Sequence, residues 1–233
     1  MVKKEHSKIV KKHFDFKYRN YDSLIRNLIP KYEEMHKLVV NSIDFPKGKE
    51  IDILDLGLGT GQTALELLRK FPNCRIDGVD ISERMIKEGE KRLKDYLDRV
   101  NFICQDVKDF KPRKKYDACV AVLSVHHLDS KQKQQLFKNV FNSLKKGGIF
   151  VIGDIIKFDT QKETRRKEKK WKYFLIKNLG QKEGSYWFKN YQEEDLPDSI
   201  SNQVKWLKLA SFIKVKTLWK HMNYAVLFTK TRF

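Results

Sequence analysis

Apolar residues fall along this chain in two alternating rhythms. Short, mostly apolar runs such as Ile51-Asp52-Ile53-Leu54-Asp55-Leu56 read as buried strands. Stripes at three- and four-residue spacing read as amphipathic helices; Ala64, Leu65, Leu67, Leu68 and Phe71 form one, ended by Pro72-Asn73. Arg75 to Asp80 is a second strand that finishes on a carboxylate, and a helix follows from Ser82, a suitable N-cap, to about Leu93. Val100 to Asp106 is a third strand, again ending on an acid. Tyr116 to Ser124 is the fourth, running into Val125-His126-His127-Leu128. Ser130 to Lys146 has Leu136, Val140, Phe141 and Leu144 on one helical face and stops at Gly147-Gly148 before a fifth strand, Ile149 to Ile156. A helix from Ser199 to Phe212 precedes two closing strands, Ile213 to Trp219 and Asn223 to Thr229, joined as a hairpin by Lys220-His221-Met222. Strands alternating with helices at this spacing predict an α/β fold with a parallel sheet covered on both faces.

Two segments stand outside that alternation. From Ser7 to about Ile43 the chain reads as helical with a break at Pro30, and Tyr32, Met35, His36 and Val39 share one face. Before them, His13 to Asp22 is dense in aromatics for so polar a stretch, which suits either a helix pair packed on the main domain or a lid over a ligand. From Lys157 to Asp198 the chain is charged and aromatic, with Trp171, Phe174, Leu175 and Asn178 on one face of a basic amphipathic helix. Such a run is a solvated face or a surface that touches RNA or membrane. The expected organisation is one domain over 1–233: an N-terminal helical lid (1–46), a core (47–156), a cap insertion (157–198), and the last helix and strands of the core (199–233).

At 233 residues and 40% hydrophobic content, the chain can bury one substantial core. Met1-Val2-Lys3-Lys4-Glu5-His6 leads into charge instead of an apolar leader, and no run is long and apolar enough to cross a bilayer, so membrane insertion is not expected. Cys74, Cys104 and Cys119 are odd in number and contain no Cys-x-x-Cys pair, and they read as buried thiols of a reducing cytoplasm, not as a disulfide frame or zinc site; no metal site is expected. The net charge of +19 attracts nucleic acid or another anionic surface at long range, but the basic residues are mostly Lys and are scattered over nearly every polar face.

The chemistry concentrates at Asp55-Leu56-Gly57-Leu58-Gly59-Thr60-Gly61-Gln62, a glycine turn between a buried strand and a helix. Glycines at alternate positions permit backbone angles and a closeness of approach that a Cβ would block. Gln62 stands where a dinucleotide fingerprint has its third glycine, and no Gly-Lys-Ser/Thr follows as in a P-loop. Asp55 would repel a pyrophosphate and suits an ammonium or sulfonium. Asp80 and Asp106 end parallel strands, where open α/β sheets bind ligands.

Asp55-x-Gly57-x-Gly59-x-Gly61 resembles the first motif of class I S-adenosylmethionine-dependent methyltransferases, of the type 11/12-like group. Asp80 falls at that family's ribose-binding acid, and Asp106-Val107 is similar to the motif beside the adenine. Tyr116-Asp117 with Leu123 to Leu128 resembles the fourth motif, and Leu144 to Gly148 the turn after it. The resemblance implies a Rossmann-like seven-stranded sheet, mostly parallel with an antiparallel C-terminal hairpin. It implies S-adenosyl-L-methionine as cofactor, leaving S-adenosyl-L-homocysteine, and cofactor contacts from Asp55, Gly57, Gly59, Gly61, Asp80, Ile81, Met85, Asp106, Val107 and Leu123. Where many relatives read Ala-Gly-Phe, this chain has Ala210-Ser211-Phe212 and lacks the glycine that supplies a left-handed cap. A finer resemblance links Phe14-Asp15, Leu28 to Tyr32, Leu218-Trp219 and Asn223-Tyr224-Ala225 to the carboxy-S-adenosylmethionine synthase branch, associated with wobble-uridine modification of transfer RNA. It implies that Tyr32 reaches the cofactor. Where that branch has a cap arginine, only Lys189 lies nearby, which counts against carboxylated-cofactor chemistry.

The expected activity is methyl transfer from the sulfonium to an O, N or C nucleophile on a small molecule. Alternatives are a transfer-RNA methyltransferase or carboxy-S-adenosylmethionine synthase-like enzyme, and a cofactor-binding but silent partner subunit. A homodimer stands as an open alternative to a monomer. His126 and His127 are the candidate catalytic residues, although a His pair after a strand can equally pack or bond to backbone.

Overall fold

A computed structural model describes residues 2–17, 21–112 and 114–232. Seven strands form one sheet in the order β3-β2-β1-β4-β5-β7-β6. These are β1 (Ile51–Leu56), β2 (Cys74–Asp80), β3 (Val100–Cys104), β4 (Tyr116–Val122), β5 (Leu144–Ile155), β6 (Ile213–His221) and β7 (Tyr224–Lys230). β1 to β5 are parallel neighbours, whereas β7 runs against both β5 and β6. The strand order reverses beside β1, so the carboxyl ends of β1 and β4 diverge there and leave a crevice.

The strands alternate faces, as the pleat requires. Ile53, Val120 and Val151 join one core with Met35, Leu67 and Trp171. Leu54, Cys119 and Phe150 join the other with Phe137, Leu207 and Phe212. The first face is covered by α3 (Tyr32–Ser42) and α4 (Gln62–Lys70), the second by α6 (Ser130–Ser143) and α9 (Ile200–Leu209). α5 (Glu83–Arg92) follows β2, and the Ser82 hydroxyl caps it by accepting from the Met85 N–H at 3.2 Å.

The amino-terminal segment is three helices, α1 (Val2–Lys17), α2 (Tyr21–Leu28) and α3. In the aromatic stretch, the side chains of His13, Phe14 and Phe16 and residues 18–20 lie outside the described residues. The segment after β5 is two helices, α7 (Gln161–Leu179) and α8 (Gln181–Glu194), reversed at Gly180 with φ +83°. Gly184 lets them meet: a Cβ there would lie 2.6 Å from the Ile176 backbone nitrogen. The Trp171 indole donates to Leu28 O at 2.8 Å, tying this cap to the lid.

Three local expectations change. α6 ends at Ser143, not Lys146, because Leu144 pairs with Tyr116 and so enters β5. Cys104 is exposed, since β3 is an edge strand; Cys74 and Cys119 are buried. Ser211 itself takes the left-handed turn after α9, at φ +75°, so the conformation survives without the glycine. Among the described residues, no helix is long and apolar enough to cross a membrane.

Candidate active site

β1 delivers the chain into a turn in which Gly57, Gly59 and Gly61 all have positive φ, at 85°, 56° and 77°. At Gly57 the need is also steric, because a Cβ would meet the Ser124 Cβ at 2.4 Å. Asp80, at the end of β2, faces this turn. Its Oδ2 accepts from the Gly59 N–H at 2.8 Å and its Oδ1 from the Ser82 N–H at 2.9 Å. Burial holds the Asp80 carboxyl up to about 6, while those two N–H groups pull it down. The anion is therefore oriented before any ligand arrives.

Gly57, Gly59, Asp80, Ile81, Met85, Asp106, Val107 and Leu123 all border one cleft of about 660 Å³. Eight residues expected at the donor site thus converge on one space. The Asp106 Oδ1 accepts from the Lys108 N–H at 3.1 Å, and the Lys108 ammonium pairs with Asp106 and donates to the Ser7 hydroxyl at 2.6 Å. Three expected residues sit elsewhere. Asp55 is 1% exposed below the turn, where burial and the neighbouring Asp80 charge push its carboxyl up to about 7. Gly61 shapes the turn without bordering the cleft. Tyr32 packs on His36 with ring centroids 4.2 Å apart, under the Arg26 guanidinium.

From the same lid it is Tyr21 that borders the cleft, a residue that sequence reasoning placed only within an aromatic stretch. Lid helix α1 covers the opening: His6, Ser7 and Val10 border it, and Asp15 accepts from the Ser82 hydroxyl at 2.6 Å. Asp22 anchors α2 to the glycine turn, accepting from Thr60 Oγ1 at 2.7 Å and pairing with Arg92.

A second cavity, of about 750 Å³, adjoins the first and shares Val10, Tyr21, Leu123 and His127 with it. Cap and lid supply most of its wall, including Leu24, Ile25, Trp171, Trp187 and Tyr191. Its polar groups include His126, His127, Asn190, Glu194, Asp195 and the hydroxyls of Tyr21, Tyr191 and Tyr224. Leu123, on the shared wall, is held at φ +53°, a strained angle for a residue with a Cβ, and its N–H bonds Gly153 O at 2.9 Å.

His126 is 6% exposed. Asp154, on β5, accepts from both its ring Nδ1 at 2.5 Å and its backbone N–H at 3.0 Å. Its Nε2 faces Asp195 Oδ1 at 3.7 Å, and His127 Nδ1 lies 3.4 Å from the same oxygen. Burial works against the charged form of both rings. At His126 the Asp154 and Asp195 charges outweigh it and the pKa rises; at His127 the neighbouring His126 adds to burial and it falls. Lys189, the basic residue nearest the place of that branch's cap arginine, is exposed and pairs with Glu193 at 3.6 Å.

The sheet order and the crevice beside β1 define a Rossmann-like fold. Residues 53–148 match the family model described as a methyltransferase domain. The carboxy-S-adenosyl-L-methionine synthase of Campylobacter fetus is 25% identical over 93% of this chain and 94% of its own. The malonyl-acyl-carrier-protein O-methyltransferase 1 of Ilyobacter polytropus is 32% identical over 50% of this chain and 44% of its own. Among solved structures, geranyl diphosphate methyltransferase in complex with GPP and sinefungin superposes with a TM-score of 0.70 at 12% identity, covering 97% of this chain and 99% of that one. The methyltransferase SibL in its apo form gives 0.61 at 14% identity, covering 86% of this chain and 55% of that one. The chain thus spans about half the length of SibL. These structural likenesses establish the shared fold.

Proposed function

We propose that this chain moves a methyl group from S-adenosylmethionine to a nucleophile on a small, largely apolar acceptor held beneath the α7–α8 cap. The observation that carries this reading is the pair of adjoining cavities. One is bordered by the glycine turn and the strand-end acids, the other by aromatic and aliphatic side chains, and they meet at Tyr21, Leu123 and His127.

S-adenosylmethionine, when bound, supplies an electrophilic methyl on a sulfonium sulfur. The first cleft fits it. Asp80 presents a pre-oriented carboxylate for ribose hydroxyls, Gly57 and Gly59 allow backbone approach, and Met85, Ile81 and Val107 offer apolar surface for a base. No phosphate is called for, consistent with the two acids in and below the turn.

The acceptor cavity aligns a nucleophile and excludes water through its aromatic wall. Orientation of this kind contributes on the order of 7–11 kcal/mol to lowering the barrier of a displacement. His126 and His127 are the groups placed to polarise an acceptor hydroxyl or amine or to take its proton. His126 is oriented by Asp154, and His127 stands on the wall common to both cavities.

The relatives' printed names support both an O-methylated small-group acceptor and carboxylated-donor chemistry. Among the described residues bordering the two cavities there is no Lys or Arg to hold an added carboxylate, which favours ordinary methyl transfer. The three free thiols suit a reducing, cytoplasmic setting.

A transfer-RNA acceptor is the second reading, supported by the net charge of +19. Methyl-labelled S-adenosylmethionine incubated with the protein and a cell extract separates the two. Label in the low-molecular-weight fraction is the expected result; label confined to RNA would replace the small-molecule reading with the second.

A further inference from the structure

We propose that His126, His127 and Asp195 together hold a divalent transition-metal ion of the zinc or ferrous type on the wall of the acceptor cavity. Their ligand atoms all lie within 4.8 Å of one another. Asp195 Oδ1 stands 3.7 Å from His126 Nε2 and 3.4 Å from His127 Nδ1. An ion bound at about 2.0–2.2 Å with tetrahedral angles sets its ligands about 3.3–3.6 Å apart, close to the two distances from Asp195. Two imidazoles and one carboxylate form a donor set that suits borderline divalent ions and leaves a coordination position open.

The surroundings are those of a built site. Asp154 accepts from His126 Nδ1, the carboxylate–histidine arrangement that fixes which ring nitrogen faces a metal and raises its basicity. The strap carrying Asp195 is pinned from two sides. The Leu196 N–H donates to His126 O at 2.8 Å, and the buried Lys133 ammonium bonds Leu196 O and, at 2.6 Å, Asp198. An independent observation also points to a polar ligand in this space. Tyr224 borders the same cavity, is 0% exposed, and its hydroxyl has no hydrogen-bond partner among the described residues. A water or acceptor oxygen bound beside it would satisfy that hydroxyl.

The metal would polarise an acceptor oxygen next to the donor cleft. That role rests on the acceptor-cavity reading above; the metal site itself does not.

The test is titration of the metal-stripped full chain with Co²⁺, read by visible ligand-field absorption and by calorimetry. A Cys104→Ser background removes the exposed thiol as a competing ligand. The expected result is one equivalent bound, displaced by Zn²⁺. Asp195→Asn and His126→Ala should each lose at least about a hundredfold in affinity, and Asp154→Asn about 10–100-fold. S-adenosylmethionine binding by the same variants, unchanged, shows that they are folded and isolates the metal from the donor reading. No stoichiometric uptake by the wild-type protein, or uptake unaltered in Asp195→Asn, would overturn the proposal. Should a variant fold poorly, anomalous scattering from wild-type crystals soaked in Zn²⁺ decides: a peak between His126, His127 and Asp195 supports the site, and a peak elsewhere or none refutes it.

Discussion

Asp154 holds His126 twice, through ring Nδ1 at 2.5 Å and through the backbone N–H at 3.0 Å, so one carboxylate from β5 sets both the position and the tautomer of the imidazole after β4. Asp154→Asn should therefore lower kcat by roughly tenfold to a hundredfold, as loss of an orienting partner does. Calorimetry should give the same S-adenosylmethionine affinity as wild type, because Asp154 does not border the donor cleft. A kcat equal to wild type would remove His126 from the mechanism.

The carboxyl of Asp55 is raised by burial and by Asp80 to about 7, from an ordinary 3.8. Between those values the folded chain binds more protons than the unfolded one, so stability present at low pH is lost as pH rises from about 4 to 7. The size is on the order of a few kcal/mol. Thermal melts of the ligand-free protein across this window should show the decline, and Asp55→Asn should lessen it, leaving the smaller part contributed by Asp80, which burial raises to about 6. An equally steep decline in the variant would assign the effect to other groups.

Gly57→Ala combines an unfavourable φ of +85° with a Cβ only 2.4 Å from Ser124. A stability loss of about 1–3 kcal/mol is expected from the strain, together with severe loss of donor binding. Adding Ser124→Gly relieves the contact but not the angle, so recovery in denaturant melts should be partial. Full recovery would mean that the backbone angle is of no consequence.

Asp15 ties lid helix α1 to the donor cleft through the Ser82 hydroxyl at 2.6 Å and, from its backbone carbonyl, the Arg84 guanidinium at 2.7 Å. A hydrogen bond to a charged group contributes about 1.5–3 kcal/mol. If closure retains the ligand, Asp15→Ala should speed S-adenosylmethionine release by roughly tenfold or more in stopped-flow measurements. Unchanged release would show that α1 merely packs on the domain.

Asp80→Ala removes the carboxylate that two backbone N–H groups orient toward the cleft. Loss of its ribose hydrogen bonds should weaken S-adenosylmethionine by about a hundredfold. Unchanged affinity in calorimetry would remove this cleft as the donor site.

The cleft at the glycine turn was legible in the chain because it is built locally. A strand, its following turn and the next strand's last residue lie close in sequence, and the chemistry of Gly57, Gly59 and Asp80 follows from short-range steric and hydrogen-bonding demands. Coverage of the sheet on both faces followed from short apolar strands alternating with helical stripes, and the seven-stranded count with its closing hairpin from the family resemblance; the strand order came only with the structure. Errors arose where pairing overrode local propensity: Leu144 left the helix for a strand partner, and Ser211 adopted a left-handed turn that usually belongs to glycine.

The acceptor half could not be read in that way. The finer resemblance pointed to Tyr32, while Tyr21 stood only within an aromatic stretch, and packing instead places Tyr32 on His36 and Tyr21 at the junction of the cavities. The His126–His127 pair was visible, but Asp154 and Asp195 reach it from a different strand and from the strap after α8. The sequence by itself determined the strands and the glycine turn, because contacts between near neighbours encode them, and its ordered motifs pointed to the class of donor by resemblance. Tertiary structure alone decided which residues line the second cavity, because those side chains come from distant segments whose meeting depends on how lid, cap and sheet fill one core.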